Sequence, residues 1–161
     1  MIEIERKFLV NSEAFKNEAF KKTKIQQGYL NSDKDRSVRI RINEEKAFIT
    51  VKGPTYNKGI QRFEWEKEIP RKDAEALILL CEDTPIEKIR YEIKSGNHIY
   101  EVDEFFNAND GLIVAEIELN AVEENFEKPD WLGKEVTGDP KYYNSELSIH
   151  PYKTWKSTNK S

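Results

Sequence analysis

The chain has 161 residues, 35% of them charged and 37% hydrophobic, with 26 Lys and Arg against 30 Asp and Glu for a formal net charge of −4. That length points to one domain over 1–161, the aromatic content of 11% argues against disorder, and the near-neutral balance offers no basic footprint for nucleic acid. No stretch approaches the ~20 apolar residues of a membrane span and MIEIERKFLV is too charged for a signal peptide, so the expectation is a soluble, cytoplasmic protein with no membrane partner.

Period-two alternation predicts strands near residues 2–9, 24–31, 36–42, 46–52, 60–69, 86–94, 97–105 and 112–119. Eight strands suffice to close a barrel. Between the first two, Ser12 is placed as N-cap of a helix over EAFKNEAF. A second helix is read in RKDAEALILLCE, where Ala74, Leu77, Ile78 and Cys81 repeat at three and four. SGNH at 95–98 reads as a tight hairpin, NANDG at 107–111 as a longer turn, and KYYNSELS, after Pro140, as a short packing helix. His98 and His150 are read as solvated, and KSTNKS as frayed. A lone Cys81 excludes an internal disulfide, and the seven glycines match neither a Walker A loop nor GxGxxG.

Residues i and i+2 of a strand share a face, so the phase of each charge is legible. Glu3, Glu5 and Lys7 lie opposite Ile2, Ile4 and Phe8; Arg39 and Arg41 opposite Val38, Ile40 and Ile42; Lys88 and Arg90 opposite Ile89 and Tyr91. Lys52, Arg62, Glu64, Glu66, Glu101, Asp103, Glu116 and Glu118 likewise sit opposite apolar residues. Two readings of this pattern stand. An antiparallel sheet with one face in water is the ordinary one, but such a face usually interleaves signs, because like charges in proximity are unfavourable. Here the doublets are like-signed, which suits a face turned inward around a hard cation and a polyanion, with the helices covering the outside.

The ordered motifs carry a resemblance. Glu3, Glu5 and Lys7 form an ExExK signature, followed by QGYL at 27–30, VRIR at 38–41, TVKG at 50–53, RFEWE at 62–66, KIRY at 88–91, YEVDEF at 100–105, AEIEL at 115–119 and WLGKEVTGD at 131–139. Together they resemble the CYTH family, the triphosphate tunnel metalloenzymes, in its short bacterial branch. The resemblance implies a mostly β (α+β) fold: a closed eight-stranded antiparallel β-barrel tunnel with a charged lumen and a few helices packed outside. It implies Mg²⁺ or Mn²⁺ held by Glu3, Glu5, Glu116 and Glu118, with Asp103 in or next to that shell, and a polyphosphate held by Lys7, Arg39, Arg41, Lys52, Arg62, Lys88 and Arg90. Glu3, Glu5, Lys7, Arg39 and Arg41 carry the catalytic expectation. Glu64, Glu66 and Glu101 either orient the bases or hold a second metal, and Lys134 either reaches the tunnel mouth or lies on the surface. The implied activity is metal-dependent hydrolysis of a linear triphosphate by water, with tripolyphosphate favoured. A class IV-type adenylate cyclase, a thiamine or nucleoside triphosphatase and a non-enzymatic polyphosphate-binding module remain alternatives, and a homodimer is left open.

Overall fold

The structure, a computed structural model, describes residues 1–155; the fraying expected of residues 156–161 lies outside them. The nine strands are β1 (Ile2–Val10), β2 (Lys21–Asn31), β3 (Ser37–Asn43), β4 (Lys46–Tyr56), β5 (Gln61–Ile69), β6 (Glu82–Ser95), β7 (His98–Phe105), β8 (Ile113–Glu118) and β9 (Leu132–Glu135), with helices α1 (Phe15–Glu18), α2 (Arg71–Ile78) and α3 (Asn144–Ile149). Eight strands run in the order β5, β4, β3, β2, β6, β7, β8, β1, and β1 pairs again with β5, so the sheet closes on itself. Closure leaves no continuous row of unpaired backbone groups. Phe8 pairs with Ala115 of β8 and with Glu135 of β9, which puts β9 on the edge of β1 that β5 has already left. No helix among the described residues is long and apolar enough to cross a membrane.

Registers carry one phase of every strand to the same side. Glu5 lies opposite Glu118 and Lys7 opposite Glu116; Glu101 faces Glu116; Arg90 faces Asp103; Gln27 faces Arg41; Arg39 faces Thr50; Lys52 faces Glu64; Arg62 faces Glu3. The other phase packs outside. Phe8, Tyr91, Tyr100, Val102 and Ile117 form one cluster with Phe15 of α1 and Trp131, while Ile40, Ile42 and Ala47 meet Ala74 of α2. Burying one such large side chain is worth ~1.5–3 kcal/mol, whereas buried ion pairs come near break-even, so these outer clusters stabilise the barrel and the lumen does not.

Five features differ from the sequence expectation. The first helix is only Phe15–Glu18 and Ser12 is not its cap; the Ser12 hydroxyl instead accepts a hydrogen bond from the Ala14 N–H, and β2 claims the chain from Lys21. The second helix stops at Ile78, because the chain must turn into β6 at Glu82; Cys81 sits in that turn against Gly28, where a Cβ would come within 2.9 Å of the Cys81 side chain. The outer face is not fully covered by helices, since Ile2, Phe63 and Trp65 remain 52%, 36% and 36% exposed along β1 and β5. His98 is not solvated but 14% exposed at its side chain and paired with Glu124.

The third helix is not outside at all. On four strands the inward row changes from charged to apolar at the same end: Lys7 to Leu9, Lys88 to Ile86, Asp103 to Phe105 and Glu116 to Val114. These side chains gather with Tyr29, Tyr142 and Leu147 of α3, fully buried, into a plug that floors the lumen.

Candidate active site

Above that floor lies a cavity of about 400 Å³. All seven bases expected from the sequence line it, as do Glu3, Glu5, Glu116 and Glu118, and also Glu64, Glu66 and Glu101. Lys134 is exposed on β9 and does not line it.

The acids come in touching pairs. Glu5 and Glu116 are side by side: burial, then the charges of Glu116 and Glu3, push Glu5 well above the usual carboxylate range. Burial would raise Glu116 too, but Lys7, the hydrogen bond from Glu5 and Arg90 outweigh it and hold Glu116 well below. Glu64 is raised to about 7 by burial and by its hydrogen bond to Glu3, while Lys52, 3.1 Å from Glu3, helps to keep Glu3 ionised despite burial.

The bases are crowded as well. Burial and the neighbouring Arg39 and Arg90 lower Arg41 to about 9. Lys88 falls to about 7 through burial and the charges of Arg41 and Arg90, against the pull of Asp103. Lys7, Arg41 and Arg62 have no ion pair among the described residues; the Lys7 ammonium and the Arg62 guanidinium lie over the Tyr143 ring, and Arg41 Nε donates to Gln27 Oε1 at 3.0 Å. Arg39 Nε is buried without an acceptor.

Asp103 stands apart. It is 1% exposed and does not line the cavity; both oxygens are committed, to Arg90 Nε at 2.8 Å and Nη2 at 2.9 Å and to Lys88 Nζ at 2.8 Å. Burial would raise it, but Arg90 and Lys88 hold it far below the usual range. It is engaged as an internal counter-ion for Arg90 and Lys88, where the resemblance implied a place in or next to the metal shell.

Residues far along the chain complete the wall. Tyr143, Asn144 and Ser145 enter from α3 and the turn before it, and the loop through Gly59 meets Gly138 so closely that a Cβ on Gly59 would lie 2.3 Å from the Gly138 Cα. The sequence assigned Tyr143 and Asn144 to helix packing. Nothing in local periodicity marks them as lumen residues.

A closed antiparallel barrel that turns its charge inward, with paired carboxylates beside unpaired guanidinium and ammonium groups, defines a charged-tunnel protein. The CYTH domain family matches residues 1–148, and the chain belongs to it. An inorganic triphosphatase of Acetivibrio thermocellus is 50% identical over 155 residues, 96% of this chain and 97% of that protein. An inorganic triphosphatase of Nitrosomonas europaea is 32% identical over 154 residues, 92% and 98% of the two chains. A crystal structure of an inorganic triphosphatase superposes with a TM-score of 0.65 at 31% identity, covering 91% of this chain and 97% of that one.

Proposed function

We propose that the protein is an inorganic triphosphatase: it hydrolyses tripolyphosphate to pyrophosphate and phosphate, with Mg²⁺ or Mn²⁺ as cofactor. The observation that carries this is the juxtaposition in one cavity of acids pressed against acids and bases lacking acid partners, each set completed by one half of a metal–polyphosphate complex. The names of the two relatives support the same reading.

The donor set fits a hard divalent cation bound jointly with substrate. Among the described residues no three Asp, Glu, His or Cys converge into a ready cage. Mg²⁺ characteristically takes one or two carboxylates and completes its octahedron with phosphate oxygens and water. Glu5 with Glu116, and Glu3 with Glu64, are such pairs, and Glu118 lies opposite Glu5. Bound there, the cation supplies neutralisation of phosphate charge and an oriented, acidified water.

Lys7, Arg41 and Arg62 bind the phosphate chain, and Arg39 and Lys52 add charge as it spreads over the transferred phosphoryl group. Asp103 locks Arg90 in a two-pronged pair and so fixes its direction. Ser37 and Ser145 line the cavity, but neither hydroxyl has a carboxylate or imidazole partner among the described residues, so water attacks directly instead of a protein nucleophile.

Tripolyphosphate is favoured over nucleotides because the aromatic surface of the lumen is already engaged. Tyr91 and Tyr100 are buried in the outer core and Phe63 and Trp65 lie outside; of the two tyrosines that line the cavity, Tyr29 is buried in the floor cluster and the Tyr143 ring faces Lys7 and Arg62. A base stacking on Tyr143 would have to displace a cation. The test is kcat/KM for tripolyphosphate, ATP and thiamine triphosphate with each metal, monitored alongside cyclic AMP. A value for ATP equal or higher, or cyclic AMP as product, refutes the assignment, and binding without turnover favours the polyphosphate-binding module.

A further inference from the structure

A buried chain of hydrogen bonds joins two of the cavity bases. Arg41 Nε donates to Gln27 Oε1 at 3.0 Å, Gln27 Nε2 donates to Asn144 Oδ1 at 2.8 Å, and Lys88 Nζ donates to the same oxygen at 2.9 Å. The direction of every bond is fixed at both ends. A guanidinium and an ammonium can only donate, so Gln27 must turn its carbonyl toward Arg41 and Asn144 its carbonyl toward Lys88. Gln27, with 0% exposure, has no freedom to invert.

The consequence falls on the other end of the Asn144 amide. Its oxygen is held by two donors, Asn144 lines the cavity, and its Nδ2 has no partner among the described residues. We propose that Asn144 is a substrate-binding residue whose NH₂ donates to a phosphoryl oxygen of the polyphosphate, and that Gln27 is the positioning residue that fixes which face of that amide the substrate meets. This rests on the triphosphatase reading of the site. The recognition is neutral donor to anion, so it adds directional contact without adding charge to a wall where Arg41 and Lys88 are already crowded. It also explains why a residue from the last helix reaches between β2 and β6, where packing alone would be served by Leu147.

The decisive variant is Asn144→Asp. It preserves an acceptor for Gln27 and Lys88 but replaces the cavity-facing donor with an oxygen that repels phosphate. Titration calorimetry of the full chain with inorganic tripolyphosphate, without metal, should show at least about tenfold weaker binding, and with Mg²⁺ KM should rise more than kcat falls. Gln27→Glu keeps the acceptor for Arg41 and removes the donor to Asn144; its binding should weaken by only about threefold, since Lys88 still orients the amide. Asn144→Asp binding within twofold of the parent, at unchanged thermal stability, overturns the proposal, and so does an equal loss of kcat and stability with KM unmoved. A parent that binds tripolyphosphate without hydrolysing it refutes the triphosphatase reading while leaving Asn144 to be judged by the titration; a parent that does not bind it refutes both.

Discussion

The acidic and basic walls of the cavity solve the same problem differently. On the basic side a buried counter-ion, Asp103, neutralises Arg90 and Lys88 from behind, and that part of the wall is complete within the chain. On the acidic side, among the described residues, Glu3 meets Lys52 at 3.1 Å, Glu66 meets Arg39 at 3.4 Å and Glu101 meets Arg90 at 3.3 Å, whereas Glu5, Glu64, Glu116 and Glu118 have no ion pair, and the contacts of Glu5 with Glu116 and of Glu64 with Glu3 push one member of each pair upward. A wall with its counter-ion built in stands near break-even for folding, and removing either partner is what costs stability. A wall whose acids crowd each other is held ready for a cation, at some expense of stability, because like charges face one another across β1 and β8.

Removing the built-in counter-ion should give the largest effect. Asp103→Asn leaves buried Lys88 without a counter-ion and Arg90 with only the partly exposed Glu101, and urea denaturation should show a loss of about 3–5 kcal/mol, toward the lower end because Lys88, already near 7, can release its proton. A change below ~1 kcal/mol would mean that Asp103 is not the counter-ion described.

A different outcome is expected across the cavity. Glu5→Gln replaces the raised, readily protonated member of the pair by a neutral amide, so stability should hold, whereas Glu116→Gln also removes the carboxylate that Lys7 and Arg90 keep ionised and should lose some; in both, turnover at limiting Mg²⁺ should fall by about 100-fold or more. Near-normal turnover in both variants would remove the cation from this wall.

Arg39→Lys keeps the charge on the basic side but loses the planar fork and the buried Nε donor, and kcat/KM for tripolyphosphate should drop by about 10–100-fold at unchanged stability. Parental kinetics would show that charge alone is what this wall supplies.

The smallest effect is in pH. Glu5, Glu64, Glu101 and Glu118 all have raised folded-state pKa values, by burial first, although Glu118, which is exposed, counts least and Glu101, with 40% of its side chain exposed, is also discounted. A carboxyl raised on folding adds stability that is complete below its unfolded value and fades as pH climbs through its folded value. Asp103, Glu3 and Glu116, lowered on folding, lose their contribution only below about 4.5, and Lys88 acts only above about 7. Between about pH 4.5 and 7 metal-free protein should therefore become less stable to urea as pH rises, and Mg²⁺ should reduce or reverse the slope. A metal-free slope of the opposite sign would show that the acidic wall is not strained by its own charge.

Sequence alone determined which side chains share a face, because the strand period of two is local, and it exposed the like-signed doublets Glu3 and Glu5, Arg39 and Arg41, Lys88 and Arg90, and Glu116 and Glu118 that mark the lumen. The floor lies in the same inward phase, which turns apolar two residues past Lys7, Asp103 and, in the opposite direction, Lys88 and Glu116, but its closure by Tyr142 and Leu147 came only with the structure. Which charges would meet was not legible. The contact of Glu64 with Glu3 exists only because β5 closes onto β1, the capture of Asp103 by Arg90 depends on the register of β6 against β7, and Asn144 reaches Gln27 across 117 positions of chain. Period and sign are properties of a few consecutive residues, whereas partnership, burial and the resulting proton affinities are set by strand register and barrel closure, and these only the tertiary structure decided.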